Sequence, residues 1–212
     1  MCLDKSDLNN PGSKPIAEKK VLLFDFDGVL VNSEPFYLDF WLKTLRSYHI
    51  IFNENDLKGK TNLQFVNQFN LPEGEKNHIL EKKLSAESNY FKTHFIDKKL
   101  FKLIILLQAK YKLGIVSNNK NSNIKSCLII NKINFCFDLI ISEEQGMPPK
   151  PSPMPYLLAL NFFKAERKES LIIEDSPIGF ESAEGAEIDY LKFNYENLDN
   201  SIGLIYSELL NF

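Results

Sequence analysis

Val21-Leu22-Leu23-Phe24-Asp25-Phe26-Asp27-Gly28 is the stretch that decides the fold. Its four apolar residues read as a buried strand, and the residues that follow feed a turn. Asp25 and Asp27 stand two apart on an extended segment, so their side chains share a face. Gly28 then lets the backbone turn sharply away. An Asp-Gly turn closing a strand accounts for part of this pattern. Two carboxylates at one strand end repel each other, and a divalent cation between them is the natural resolution.

Farther along, four short runs resemble the first: Leu113–Ser117, Phe137–Ile141, Leu171–Glu174 and Tyr190–Phe193. Helical patterns at 121–130, 153–163 and 177–186 separate them. Strands alternating with helices predict an α/β fold, a doubly wound, Rossmann-like parallel sheet covered on both faces. Between the first and second strands lies a long stretch with no strand pattern. Phe36, Tyr37, Phe40, Trp41, Leu45 and Tyr48 recur at helical spacing behind a Ser33 cap. Leu63, Val66 and Phe69 mark a second helix, and Ile79, Leu80, Leu84, Tyr90 and Phe91 a third. A crossover needs only about a dozen residues, so this stretch is an inserted helical domain, followed by one crossover helix near 100–110. The domain reading is a loose leader over 1–19, a core formed by 20–32 and 96–212, and a small helical cap domain over 33–95.

The composition narrows the function. Lys plus Arg is 25 against 28 for Asp plus Glu, a formal net charge of −3 that offers no footprint for nucleic acid or anionic lipid. No unbroken apolar run exceeds five residues, so no membrane span is expected. The first twenty residues lack the apolar stretch of a secretory signal. Cys2, Cys127 and Cys136 form no C-x-x-C pair, so a reduced, cytoplasmic protein is expected. The three histidines lie far apart and make no zinc pattern. Any metal would be held by oxygen ligands, which points to Mg²⁺.

Open parallel sheets bind ligands beyond the carboxyl ends of their strands. Ser117-Asn118 after the second strand, Lys150 after the third and Glu174-Asp175 after the fourth join Asp25 and Asp27 there. Each has a plainer explanation. Ser117-Asn118-Asn119 would cap a helix, yet a helix N-terminus with a hydroxyl is also an anion site. Lys150 sits among five prolines in eight residues, which read as a stiff linker or as a stiff mount for one ammonium. Glu174-Asp175-Ser176-Pro177 suits a capped helix start. Turn chemistry alone does not account for four such groups, each at the expected end of a strand.

Phe24-Asp25-Phe26-Asp27-Gly28-Val29-Leu30-Val31-Asn32-Ser33-Glu34 resembles the first motif of the haloacid dehalogenase superfamily of phosphohydrolases. Ser117-Asn118, Lys150-Pro151-Ser152-Pro153 and Glu174-Asp175-Ser176-Pro177-Ile178-Gly179 resemble its second, third and fourth motifs, in the right order. The helical insert resembles the small cap of the subfamily that holds phosphoglycolate phosphatases, sugar-phosphate phosphatases and β-phosphoglucomutases. The resemblance implies Asp25 as nucleophile, forming an aspartyl-phosphate, and Asp27 as general acid and base. It implies Mg²⁺ on the Asp25 carboxylate, the Asp27 carbonyl and Asp175, with Glu174 close by. Ser117 and the Asn118 N–H would hold phosphoryl oxygens, and Lys150 would offset their charge. Lys58, Gly59 and Lys60 lie at the cap loop that would see substrate. A phosphatase of a small phosphorylated metabolite, acting as a monomer, is the expectation.

Several positions depart from the pattern. Asn32 stands where the subfamily often has Asp. Glu187 falls where a glycine commonly ends the fourth-motif helix. A left-handed residue there costs about 1 kcal/mol, so a different helix end is expected. Asp97-Lys98-Lys99-Leu100 replaces the usual Pro-Gly before the crossover helix. A phosphomutase is the alternative, but Tyr37 and Asn62 stand at its cap His and Arg, and only Lys120 matches. A receiver domain would need another order of acids, hydroxyl and Lys. A non-catalytic scaffold would fit loss of Asp25, Asp27 or Asp175, and all three are present.

Overall fold

The computed structural model describes residues 19–53, 56–57, 62–143 and 146–210. The cap-loop triplet Lys58, Gly59 and Lys60, and all of the expected leader except Lys19, lie outside the described residues. The chain divides into two compact units. Among the described residues, those up to Asn32 and from Phe95 onward form one unit, and those between Ser33 and His94 the other.

The larger unit is built on five parallel strands: β1 (Val21–Phe24), β2 (Lys112–Val116), β3 (Leu139–Ile141), β4 (Ser170–Glu174) and β5 (Tyr190–Lys192). Their order is β3-β2-β1-β4-β5. The chain winds outward from β1 on one side, then returns to pair with it on the other, so β1 lies at the topological switch point. Phe24 stands level with Ile115 of β2 and with Ile173 of β4. That register brings the strand ends carrying Asp25, Ser117 and Glu174 to one edge. Every residue of β1 and β4 is buried, as a sheet covered on both faces requires.

Four helices anticipated from the sequence belong to this unit: α4 (Lys98–Gln108), α5 (Asn121–Ile130), α6 (Met154–Phe163) and α7 (Pro177–Ala186). Tyr156, Ala159 and Leu160 of α6 and Ala183 and Ala186 of α7 pack with Leu23, Val116 and Ile172 into one core cluster. A further helix, α8 (Leu198–Leu209), was not anticipated; it buries Ile202, Leu204, Ile205 and Leu209. The smaller unit contains α1 (Glu34–Arg46), α2 (Asn62–Asn67) and α3 (Glu73–Phe91). Its core is Trp41, Leu45, Phe65, Val66 and Ile79, with the Trp41 and Phe65 rings edge to face at 5.0 Å. In α3, Lys83 and Glu87 are buried as an ion pair, and the Lys83 ammonium lies 4.7 Å from the centre of the Tyr37 ring.

Four local expectations are corrected. Lys19 is not part of a loose leader: it is buried, and its Nζ donates to the Ser170 carbonyl (2.8 Å) and to Asp189 (2.6 Å). Ser33 precedes α1, but its side chain makes no capping bond. Its φ of −90° and ψ of −13° are already helical, whereas a capping residue is extended. The crossover helix begins two residues earlier than expected, because Asp97 caps it by accepting from the N–H groups of Lys99 and Leu100. Glu187 does adopt the left-handed conformation, with φ 56°. The compensation is visible: the Ile188 N–H donates to the Ala183 carbonyl (3.1 Å), and the Ile188 side chain is buried in the core. This is the Schellman arrangement, and it outweighs the backbone cost.

Candidate active site

The first motif forms a tight turn. The N–H groups of Leu30 and Val31 both donate to the Phe26 carbonyl at 3.0 Å, and the Gly28 N–H donates to the Val31 carbonyl at 2.7 Å. Gly28 has φ +76°, and a Cβ built on it would lie 1.8 Å from Oδ2 of Asp175. The turn therefore needs glycine twice over, for its backbone and for the carboxylate that presses on it. Ahead of the turn, the Asp25 N–H donates to the Ile173 carbonyl at 2.9 Å, which extends the ladder to β4 by one residue.

Lys150 reaches the same point from the proline-rich segment. Its buried Nζ donates to Oδ1 of Asp25 at 2.8 Å and to Oε1 of Glu174 at 2.5 Å. The ammonium also lies 5.3 Å from the centre of the Tyr156 ring. Asn118 grips the Lys150 backbone from both sides: Oδ1 accepts from the Lys150 N–H (2.9 Å), and Nδ2 donates to the Lys150 carbonyl (3.0 Å). Proline stiffness alone does not place Lys150; this paired amide contact fixes it to the end of β2. Ser117 is buried, and its Oγ accepts from the Asn119 N–H at 3.1 Å.

Asp25, Glu174 and Asp175 offer oxygen atoms that all lie within 4.8 Å of one another. Glu174 spends both oxygens on protein donors. Oε1 takes Lys150, while Oε2 accepts from the N–H groups of Asp175 (2.8 Å) and Ser176 (3.0 Å) and from the Ser176 hydroxyl. Asp175, by contrast, keeps its buried Oδ1 without a hydrogen-bond partner. An orphaned carboxylate oxygen beside two further carboxylates is costly unless a cation meets it. The donor set is all oxygen and fits Mg²⁺.

Electrostatics agree with that fit. Burial pushes the Asp25 carboxyl up, against the pull of Lys150, and Glu174 and Asp27 add to the rise, to about 7. Burial, then the charges of Asp25 and Glu174, push Asp175 up to about 8. Burial would also raise Glu174, but Lys150 and the N–H groups of Ser176 and Asp175 hold it below its ordinary value. Lys150 stays protonated: desolvation opposes its charge, and Asp25, Tyr156 and Glu174 outweigh it.

Residues 22–193 match the family model of the haloacid dehalogenase-like hydrolases. The chain belongs to that family. Two curated relatives of this haloacid dehalogenase-like hydrolase span most of its length. The pyrophosphatase PpaX of Listeria welshimeri is 23% identical over 171 residues, 78% of this chain and 79% of the relative. A phosphoglycolate phosphatase of Aquifex aeolicus is 26% identical over 202 residues, 86% and 89% of the two chains. Among solved structures, a predicted phosphoglycolate phosphatase of Haemophilus somnus superposes with a TM-score of 0.72 at 18% identity, covering 84% of this chain and 88% of its own. That likeness is one of fold.

Within this haloacid dehalogenase-like hydrolase, the structure brings Asp25, Lys150, Glu174 and Asp175 into one cluster, with Ser117 and Asn118 at the adjoining strand end. The sequence reading gave three contributors no role in the site. Tyr156 donates to Glu174 Oε1 at 3.4 Å. Gly179, in the first turn of α7, leaves room for the Glu174 carboxylate, which a Cβ there would meet at 1.9 Å. Asn119 donates from Nδ2 to Oδ2 of Asp27 at 2.7 Å. The one signal for Asn119 was a third polar residue after β2, where a helix start needs a single cap.

Proposed function

We propose that this hydrolase is a Mg²⁺-dependent phosphatase of a small phosphate monoester, working through a phosphorylated Asp25. One observation carries the reading: Asp25 ends the central strand with Lys150 on one oxygen, beside the orphaned oxygen of Asp175. The Asp25 carboxylate, the Asp27 backbone carbonyl and Asp175 would hold the cation, with Glu174 behind them. Once bound, the ion would offset the charge that gathers between nucleophile and phosphoryl group.

The remaining steps fall to side chains. Lys150 steadies Asp25 and the equatorial phosphoryl oxygens, and Ser117 with the Asn118 N–H binds those oxygens from the β2 side. Asp25 attacks phosphorus, and Asp27 gives its proton to the leaving oxygen. Water then attacks the aspartyl-phosphate while Asp27 takes the proton back. The relatives named as a pyrophosphatase and as a phosphoglycolate phosphatase support a small phosphorylated metabolite as substrate. Hydrolysis is favoured over isomerisation, because Tyr37 and Asn62 replace the His and Arg expected of the mutases.

The test is covalent. Asp25→Asn should form no phospho-enzyme and turn over at background with an aryl phosphate and Mg²⁺. Asp27→Asn retains the nucleophile and loses proton transfer, worth roughly 10²–10⁴-fold. It should accumulate protein heavier by one phosphate, seen by intact mass. Phosphate on the Asp25→Asn protein at the wild-type level would overturn the mechanism.

A further inference from the structure

We propose that Asn119 is a positioning residue for Asp27. Its amide fixes the carboxylate that passes the proton to the leaving oxygen and then receives one from water. This rests on the acid–base reading of Asp27 given above. The contact joins residues 92 apart in the chain, at 2.7 Å between Nδ2 and Oδ2. Which end of the amide faces Asp27 is settled by the other end. Oδ1 accepts from the Lys120 N–H (2.7 Å) and from Nδ2 of the buried Asn123 (3.0 Å). Turning the amide over would set donor against donor at two places and acceptor against acceptor at the third, so the NH₂ points at the carboxylate.

The main chain of Asn119 is held as firmly. Its N–H donates to Ser117 Oγ at 3.1 Å, and its carbonyl accepts from the Glu143 N–H at 3.3 Å. Asn119 is 9% exposed. Helix capping does not explain it, because Lys120 occupies the N-cap of α5, without a side-chain capping bond. A buried amide anchored at four other atoms is thus aimed at a carboxylate carried on a tight turn.

In the first chemical step, the bond from phosphorus to the leaving oxygen breaks as the bond to Asp25 forms, and the Asp27 proton goes to that oxygen. In the second, the bond from phosphorus to Asp25 breaks as water adds, and the water proton goes to Asp27. Both transfers need the same side chain in the same place, which a fixed amide provides by donating to the carbonyl oxygen of the acid in the first step and to the carboxylate in the second.

The experiment combines Asn119→Ala with Asp27→Asn in a double-mutant cycle, using aryl phosphates from nitrophenyl to phenyl with Mg²⁺. Asn119→Ala should lose ~10-fold on phenyl phosphate, a fraction of the whole acid–base contribution. It should lose less in the first step as the leaving group improves, and it should accumulate phospho-enzyme with nitrophenyl phosphate. In the Asp27→Asn background the same change should cost nothing further, because the group it positions is gone. Additive losses, or a loss independent of leaving group, would overturn the proposal. Thermal unfolding of each variant checks the fold. If Asn119→Ala does not fold, Asn123→Ala loosens the amide one bond farther away and should give a smaller effect of the same kind; no leaving-group dependence there would also overturn it. An Asp27→Asn protein that shows no leaving-group dependence would instead refute the acid–base reading beneath it.

Discussion

Gly28 and Asp175 share one small volume, and the site depends on which of them fills it. A Cβ at position 28 would lie 1.8 Å from a carboxylate oxygen, so Gly28→Ala must drive the Asp175 side chain off its place. The left-handed backbone adds about 1 kcal/mol to the cost. We expect Gly28→Ala to fold with a lowered melting temperature and to lose most of its Mg²⁺ affinity by titration calorimetry; unchanged affinity would show that Asp175 is not a ligand. The residues legible in the sequence were those whose chemistry is rare at a strand end. Asp25, Lys150 and Asp175 stand out because charge there has few structural uses. The contributions of the Asn118 and Asn119 side chains were hidden for the opposite reason. An amide after a strand serves equally as a turn former, a cap or a clamp, and only the fold shows that Asn118 holds Lys150 and Asn119 holds Asp27.

At the level of elements, four helix ends follow one recipe. After α1, α5, α6 and α7, a non-glycine residue takes the left-handed conformation: His49, Lys132, Lys164 and Glu187. In each case the next residue donates its N–H five residues back, Ile50 to Leu45, Ile133 to Leu128, Ala165 to Leu160 and Ile188 to Ala183. An apolar residue follows each turn, and Ile133 and Ile188 are fully buried. The reading of Glu187 went wrong because it weighed the backbone cost without this return. Glu187→Gly should therefore stabilise the protein by roughly 0.5–1 kcal/mol, a rise readable in urea unfolding. The pair lost with Arg167 is exposed and 3.8 Å long, and such contacts contribute little. Strands and helices that alternate in an apolar rhythm were read almost to the residue, since burial on both sheet faces leaves few alternatives. Helix α8 escaped although Ile202, Ile205 and Leu209 carry helical spacing, because it lies past the last motif.

For the molecule as a whole, the carboxylate cluster ties stability to pH. Asp25 and Asp175 are raised to about 7 and about 8, so between about pH 4 and pH 8 the folded chain keeps protons that the unfolded chain has released. Stability of the metal-free protein should then fall as pH rises through that window, the reverse of an ordinary paired carboxylate. Glu174, lowered in the fold, acts with the usual sign and only below it. A divalent cation binds carboxylates in their deprotonated form, so thermal melts with Mg²⁺ against a chelator should show a larger gain at pH 8 than at pH 5; equal gains would argue against a cation at this cluster. The order of the sheet has one more consequence. Val21 of the central strand pairs with Lys112 and Ser170, partners roughly 90 and 150 residues later. As the chain leaves the ribosome, the insert closes on contacts from its own neighbourhood, whereas β1 waits with one flank bare until Ser170–Glu174 has been made. Long-range pairing of this kind is slow and leaves apolar strand exposed. A transcript cut short before Glu174 yields a nascent chain with no carboxylate cluster and an open strand, a substrate for chaperones rather than an enzyme.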